Sequence, residues 1–222
     1  MNYFIQSFIN TVGYVILDRS INYVLKYNNQ TTYYLTHFLF NVVVTITCFD
    51  SVIYLLSDFS KLKNYSSIPV SSNIMAFQIY HTIIYYKFFK FNDWMHHIFA
   101  SLCLINALLY DSNQYGYDRS IYFFTTGLPG LLYYGPLFCL KNNWIRKSTE
   151  ITLQYYVNVY LRSVGINFAV WSSILYYANG HYIIDEKYFN LFIFNNILAL
   201  ANAQYFTSES TIAYTKHKLI KL

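Results

Sequence analysis

From Ser120 to Leu140 the chain runs 21 residues without a charged side chain, and from Tyr188 to Phe206 another 19. An α-helix needs about 20 mostly apolar residues to cross the hydrocarbon core of a bilayer. Runs of this length recur along the sequence. Segment A covers Tyr3 to Leu17, B Tyr33 to Leu56, C Ile68 to Phe89 and D Asp93 to Tyr110. E covers Ser120 to Leu140, F Ile151 to Tyr177 and G Tyr188 to Phe206. Tyr27-Asn28-Asn29-Gln30, Lys61 to Ser67 before Pro69, Asp111 to Asp118, Lys141-Asn142-Asn143 and Asn179-Gly180 punctuate them. Barrel strands would be short and alternating, whereas helices satisfy their own backbone groups in lipid. The pattern predicts an all-α fold, a polytopic transmembrane helical bundle of six to seven spans. Segment A is short, and whether it spans or lies at the interface stays open.

Composition agrees. Only 11% of residues are charged, against roughly 25% in soluble domains. So few charges cannot clothe a soluble surface, although a very apolar soluble bundle is the alternative. Mean hydropathy is a modest +0.26 because the 26 tyrosines count as polar on hydropathy scales while their rings suit the membrane interface. No linker, repeat or low-complexity tract divides the 222 residues, so a single domain over 1–222 is expected. The N-terminal stretch lacks a basic start and a small-residue cleavage site, which argues against a removable signal peptide.

The charges are distributed asymmetrically. The connections after A, C and E and the C-terminal tail hold ten basic residues: Arg19, Lys26, Lys87, Lys90, Lys141, Arg146, Lys147, Lys216, Lys218 and Lys221. Those after B, D and F hold four: Lys61, Lys63, Arg119 and Lys187. The bias places the C-terminus in the cytosol. The net charge of +5 forms no dense patch, so no nucleic-acid partner is expected. Cys48, Cys103 and Cys139 sit in apolar runs without metal or disulfide spacing. Serine-hydrolase, phosphate-loop and zinc signatures are absent from the sequence, and no cofactor is expected.

Chemistry would have to come from polar residues inside the runs, which are costly in lipid and tend to face a bundle interior. In F, Gln154, Asn158, Arg162 and Gly165 share one helical face. Arg162 near mid-span requires a carboxylate, carbonyls, water or a ligand headgroup; a structural hydrogen-bond node and a functional site are both open readings. In D, Asp93 and His97 are four residues apart, so the carboxylate can accept from the imidazole and fix its tautomer. His96 points about 100° away, so the adjacent histidines do not converge on one metal. C offers Gln78 and His81, B offers His37, Asn41 and Thr45, and G offers Asn195 and Asn202. One polar stripe per long segment suggests a shared ligand cavity; ordinary interhelical hydrogen bonding is the other reading. Gly127-Leu128-Pro129-Gly130 and Gly135-Pro136 permit a kink or a close backbone approach. A histidine-box metal oxygenase needs more histidines than the six present and an H-x-x-x-H pair that the chain lacks.

The stretch from Asp93 to Tyr110, with its paired His96-His97 and Asn106, resembles the TLC family (TRAM, Lag1 and CLN8 homology), over about residues 70–175. Gly127-Leu128-Pro129-Gly130 with Asn158 and Arg162 is similar to divergent members from protists and large DNA viruses. The resemblance implies about six helices around a lipid-accessible cavity, here a core of about residues 33–206, in the endoplasmic reticulum or another endomembrane. In the ceramide synthases of that family paired histidines serve N-acylation, a role the resemblance would map onto His96 and His97, one as general base and the other positioning the acyl group, with acyl-CoA as partner. Those enzymes also carry a His-Asp…Asp element in the next span, whereas residues 121–134 here hold neither residue type.

The first expectation is therefore an integral membrane protein that binds, senses or moves a membrane lipid. Gln78, His81, Asp93, His97, Gln154, Asn158 and Arg162 would be the ligand-binding residues. A divergent acyltransferase using His96 and His97 is the alternative, and a structural assembly protein the third. The sequence leaves the oligomeric state open.

Overall fold

A computed structural model of the 222-residue chain describes residues 3–64, 66, 68–109, 117–180 and 186–219. The segment-D features Cys103 and Asn106, the break over 111–116, Lys63, Lys187 and Lys221 lie outside the described side chains or residues.

Every described element is helical, and the helices group into seven rods. Four are single helices: α1 (Tyr3–Leu25), α2 (Asn29–Ser57), α3 (Ile68–Tyr85) and α4 (Phe91–Leu109). The fifth rod joins α5 (Tyr117–Tyr122) to α6 (Leu128–Lys141) through a π-helical segment, Phe123–Gly127. The sixth joins α7 (Lys147–Tyr156) to α8 (Ser163–Ala178) through a second π segment, Val157–Arg162. The seventh is α9 (Glu186–Leu219). These rods coincide with segments A to G. The sequence-based ends of A at Leu17 and of G at Phe206 fall short, because α1 continues for two further turns through Asp18 and Arg19 and α9 runs on through its polar end to Leu219.

Local chemistry sets the boundaries. Lys26 turns left-handed, with φ of 53°, and ends α1. Asn28 then caps α2, its side chain accepting from the Thr31 N–H at 2.9 Å. Asn143 (φ 59°) and Gly180 (φ 69°) close the ends of α6 and α8 in the same way. Asp93 accepts from the Lys90 N–H at 2.8 Å at the start of α4.

In α1 and the sixth rod the packing turns large apolar side chains outward and polar ones inward. α1 turns Phe4, Phe8, Val12 and Ile16 outward, Phe4 being 74% exposed, and buries Ser7, Thr11 and Asp18. A ladder of polar contacts binds that inner face to α3. The Tyr3 hydroxyl donates to the Ser71 carbonyl (3.1 Å), Ser7 to the Ser72 carbonyl (3.3 Å) and Thr11 to the Ala76 carbonyl (3.2 Å). The sixth rod exposes Leu153, Tyr156, Tyr160, Val164, Trp171 and Leu175 along one stripe while Glu150, Asn158, Arg162 and Ser173 are buried. By length and apolarity, α2 is the one helix among the described residues that meets the requirement for crossing a membrane.

α2 runs through the middle, packed on α1, α3, α5 and α6. Phe40 of α2 stacks on Phe77 of α3 at 3.9 Å, the centre of the largest apolar cluster. Gly127 and Gly130 bring the fifth rod against Thr45 and Asn41 of α2, and Gly135 meets Phe38. The glycines singled out in segment E thus serve close helix approach. α9 runs antiparallel to the sixth rod: Tyr155 meets Tyr214, Asn158 meets Ser210, Arg162 meets Phe206 and Ser173 meets Asn196.

Candidate functional site

Two polar groupings inside the bundle contain most of the residues expected to bind a ligand. The first is a column of three imidazoles from three helices. The ring of His37 (α2) lies 4.5 Å from that of His81 (α3), which lies 4.6 Å from that of His97 (α4), and all three are buried. His97 stacks on Phe89 at 4.5 Å. Tyr33 and Tyr134 close the other end, 4.0 and 4.4 Å from His37.

Helix register explains the meeting. His37 sits two turns into α2, His81 one turn before the end of α3, and His97 near the second turn of α4. The tight connection Tyr86–Phe88 between α3 and α4 folds the last two against each other. His37 Nδ1 pairs with the Tyr33 carbonyl at 2.8 Å. By contrast, Nε2 of His81 and Nδ1 of His97 are buried without a hydrogen-bond partner.

Asp93 does not join this column. The i, i+4 pairing with His97 expected from sequence is not formed, because the carboxylate is exposed and turns back to the Lys90 N–H. A backbone N–H one turn upstream competes better for that oxygen at a helix start. Gln78 is half-buried near His81, and its Oε1 is another buried atom without a partner.

The second grouping centres on Arg162. Its guanidinium, 4% exposed, lies 4.1 Å from the centroid of the Phe206 ring. Its Nε is buried without a hydrogen-bond partner. None of the ion pairs among the described residues includes it. Two other cations within the rods do find acids: Arg119 pairs with Asp50 at 2.9 Å, and Lys147 with buried Glu150. Ring edges converge on Phe206 from two further elements, Tyr133 of α6 at 6.4 Å and His96 of α4 at 6.2 Å.

Asn158, one turn before Arg162, donates to Ser210 Oγ at 2.7 Å, while its Oδ1 is buried and unpartnered. Gln154 is spent locally, donating to Glu150. The polar face read along segment F is therefore divided. Its first turn is a closed salt-bridge cluster, and Asn158 and Arg162 occupy the π segment, where the helix widens. π segments inside helices are frequent at functional sites. His96 and His97 are 5.7 Å apart and point in different directions, His97 into the imidazole column and His96 toward Phe206. His96 thereby links the two groupings.

Other expected polar stripes resolve into helix-internal bonds. Asn41 donates to the His37 carbonyl (2.7 Å) and Thr45 to the Asn41 carbonyl (2.6 Å). Sequence reasoning did not single out Asp18, which is 1% exposed and accepts from Tyr80 (2.9 Å) and Tyr85 (2.6 Å). Its place beyond the assumed end of segment A hid it. Tyr33, Tyr134 and Phe206 were lost among the many aromatics. A separate cleft of ≈ 280 Å³ opens between α1, α2 and α3, lined by Gln6, Asn10, Thr47, Val70 and Asn73 among others.

Among the described residues no cluster of three or more His, Cys, Asp or Glu is placed to hold a metal ion. No family model matches the sequence, and neither a curated protein nor a solved structure matches it.

Proposed function

We propose that this chain is a multi-pass membrane protein of the TLC type that binds, senses or moves a membrane lipid through a polar site inside its bundle. The observation that carries the reading is Arg162, a buried cation without an acid partner among the described residues. It stands at the middle of a 32-residue rod running from 147 to 178. A charge there is strongly disfavoured unless an anion or ordered polar groups meet it. The described residues supply no acid at that position, and a phosphate or carboxylate of a lipid headgroup suits a guanidinium.

Three further features support the reading. Outward faces of α1, α2, α3, α8 and α9 carry large apolar side chains such as Phe8, Ile46, Ile83, Trp171 and Ile197. A hydrocarbon environment satisfies such faces, and water does not. His96 is exposed although its ring meets those of His97 and Phe206, which fits a hollow between α4 and α9. Residues 131–140 of α6 are half-buried on every side, as expected of a helix bordering such a hollow.

Acyl transfer by His96 and His97 has less behind it, since no carboxylate hydrogen-bonds either imidazole among the described residues. Such a pairing would orient a general base. The endoplasmic reticulum or another endomembrane, with the C-terminus cytosolic, completes the proposal.

Native mass spectrometry of the detergent-purified chain tests it. The wild type is expected to retain an anionic lipid. Arg162→Gln should lose it by more than tenfold, Arg162→Lys should keep part of it, and circular dichroism should report helices in all three. A wild-type protein that emerges with only bulk detergent would refute the reading.

A further inference from the structure

We infer that the bundle binds a monovalent metal cation, sodium or potassium, at Asp18 of α1, in an oxygen-lined site that is separate from Arg162 and does not depend on the lipid-binding reading. Asp18 is 1% exposed, and none of the ion pairs among the described residues includes it. Its Oδ1 accepts from the hydroxyls of Tyr80 (2.9 Å) and Tyr85 (2.6 Å). Its Oδ2 is buried without a hydrogen-bond partner. A buried carboxylate in that state carries a desolvation cost that a bound cation removes.

Further oxygens are tied to this carboxylate contact by contact. The Tyr80 hydroxyl lies 3.3 Å from Thr36 Oγ. Thr36 is one turn beyond Thr32 on α2, and Thr32 Oγ donates to Asn22 Oδ1 at 2.6 Å. Asn22 is one turn beyond Asp18 on α1, which closes the circuit. Thr36 Oγ also donates to the Thr32 carbonyl at 3.0 Å. With that proton on the carbonyl and the Tyr80 proton on Asp18, the two hydroxyl oxygens meet through lone pairs. A hydroxyl that donates its proton still presents lone pairs, and hard cations are held by oxygen ligands.

Charge and position select the ion. One carboxylate balances one positive charge, whereas a divalent ion would leave an excess charge in a buried place. Thr32, Thr36 and Tyr80 are fully enclosed, which shuts out the bulk of an organic ammonium. Asn22 is half-buried and lies close to the connection between α1 and α2, so an ion enters from that end of the bundle without crossing it.

The test measures equilibrium binding of radiolabelled sodium, and of radiolabelled rubidium standing for potassium, to the detergent-purified chain. Thermal melts at constant pH and ionic strength accompany it. The expected result is saturable binding of at least one of the two ions that choline does not compete. The melting midpoint should be about 5 °C higher in the chloride of that ion than in choline chloride, as a site saturated about tenfold gives in a chain of this size. Asp18→Asn keeps an acceptor for the two tyrosines. It should lose both the binding and the salt-dependent shift while circular dichroism reports intact helices. Thr36→Val should weaken binding by about fivefold, the loss of one neutral contact. Absence of saturable binding of both ions to the wild type overturns the inference, whether or not any variant folds. Binding that persists undiminished in Asp18→Asn overturns the assignment to this carboxylate. Calcium that competes at lower concentration than either monovalent ion overturns the charge argument.

Discussion

At Gly165 an added methyl group would overlap the Phe124 ring, which packs directly over the glycine between the fifth and sixth rods. The ring cannot swing freely, since its partners include Phe123 at 5.0 Å and both apolar clusters around Ala169 and Ile166. Gly165→Ala should therefore destabilise the protein by about 1–3 kcal/mol through overpacking. A lowered midpoint in a detergent thermal melt, with lipid retention per folded molecule unchanged, checks it. An unshifted melt would mean that the two rods are not in contact there. The sequence placed Gly165 on the face of Arg162, which the buried side of the rod confirms. That a phenyl ring covers it was not legible, because the ring belongs to a different rod. Asp93 and His97 teach the converse lesson: correct helical spacing did not produce a bond, since a nearby backbone N–H took the carboxylate.

The elements show why so much of the polar pattern is structural. α1 uses its serine and threonine face to grip the carbonyls of α3, while its apolar side chains point outward. The two π segments are different. Helical periodicity carries no mark of them, as the runs over 120–140 and 151–177 read as continuous helices. They also hold α6 and α8 to 14 and 16 residues as uninterrupted α-helices. Deleting Val159 should convert Val157–Arg162 to plain α-helix and turn Asn158 and Arg162 relative to one another. We expect helicity by circular dichroism to survive and lipid retention to fall by about tenfold or more. Undiminished retention would remove any role for the π segment in the site.

For the whole molecule, seven rods and a polar interior predict a definite sidedness. Single cysteines placed at Asn28, Asn143 and Lys216 in a background lacking Cys48, Cys103 and Cys139 should react from one side of a sealed membrane. Those at Ser60 and Asn179 should react from the other. Labelling of all five from the same side would refute a bundle with the proposed orientation.

Sequence by itself determined that the chain is helical, where the seven rods lie apart from the far ends of α1 and α9, and which residues are too polar for an apolar outer face. Those features follow from local chemistry: run length, caps, and the cost of a charge without water. Only the tertiary structure decided which polar groups satisfy one another. It stacked His37, His81 and His97 from three helices, closed Glu150 with its own neighbours, and left Arg162 against the face of Phe206 with no acid from the described residues. The reason is geometric. A helical stripe fixes the side on which a residue points, while its partner depends on rotation and register between rods far apart in sequence.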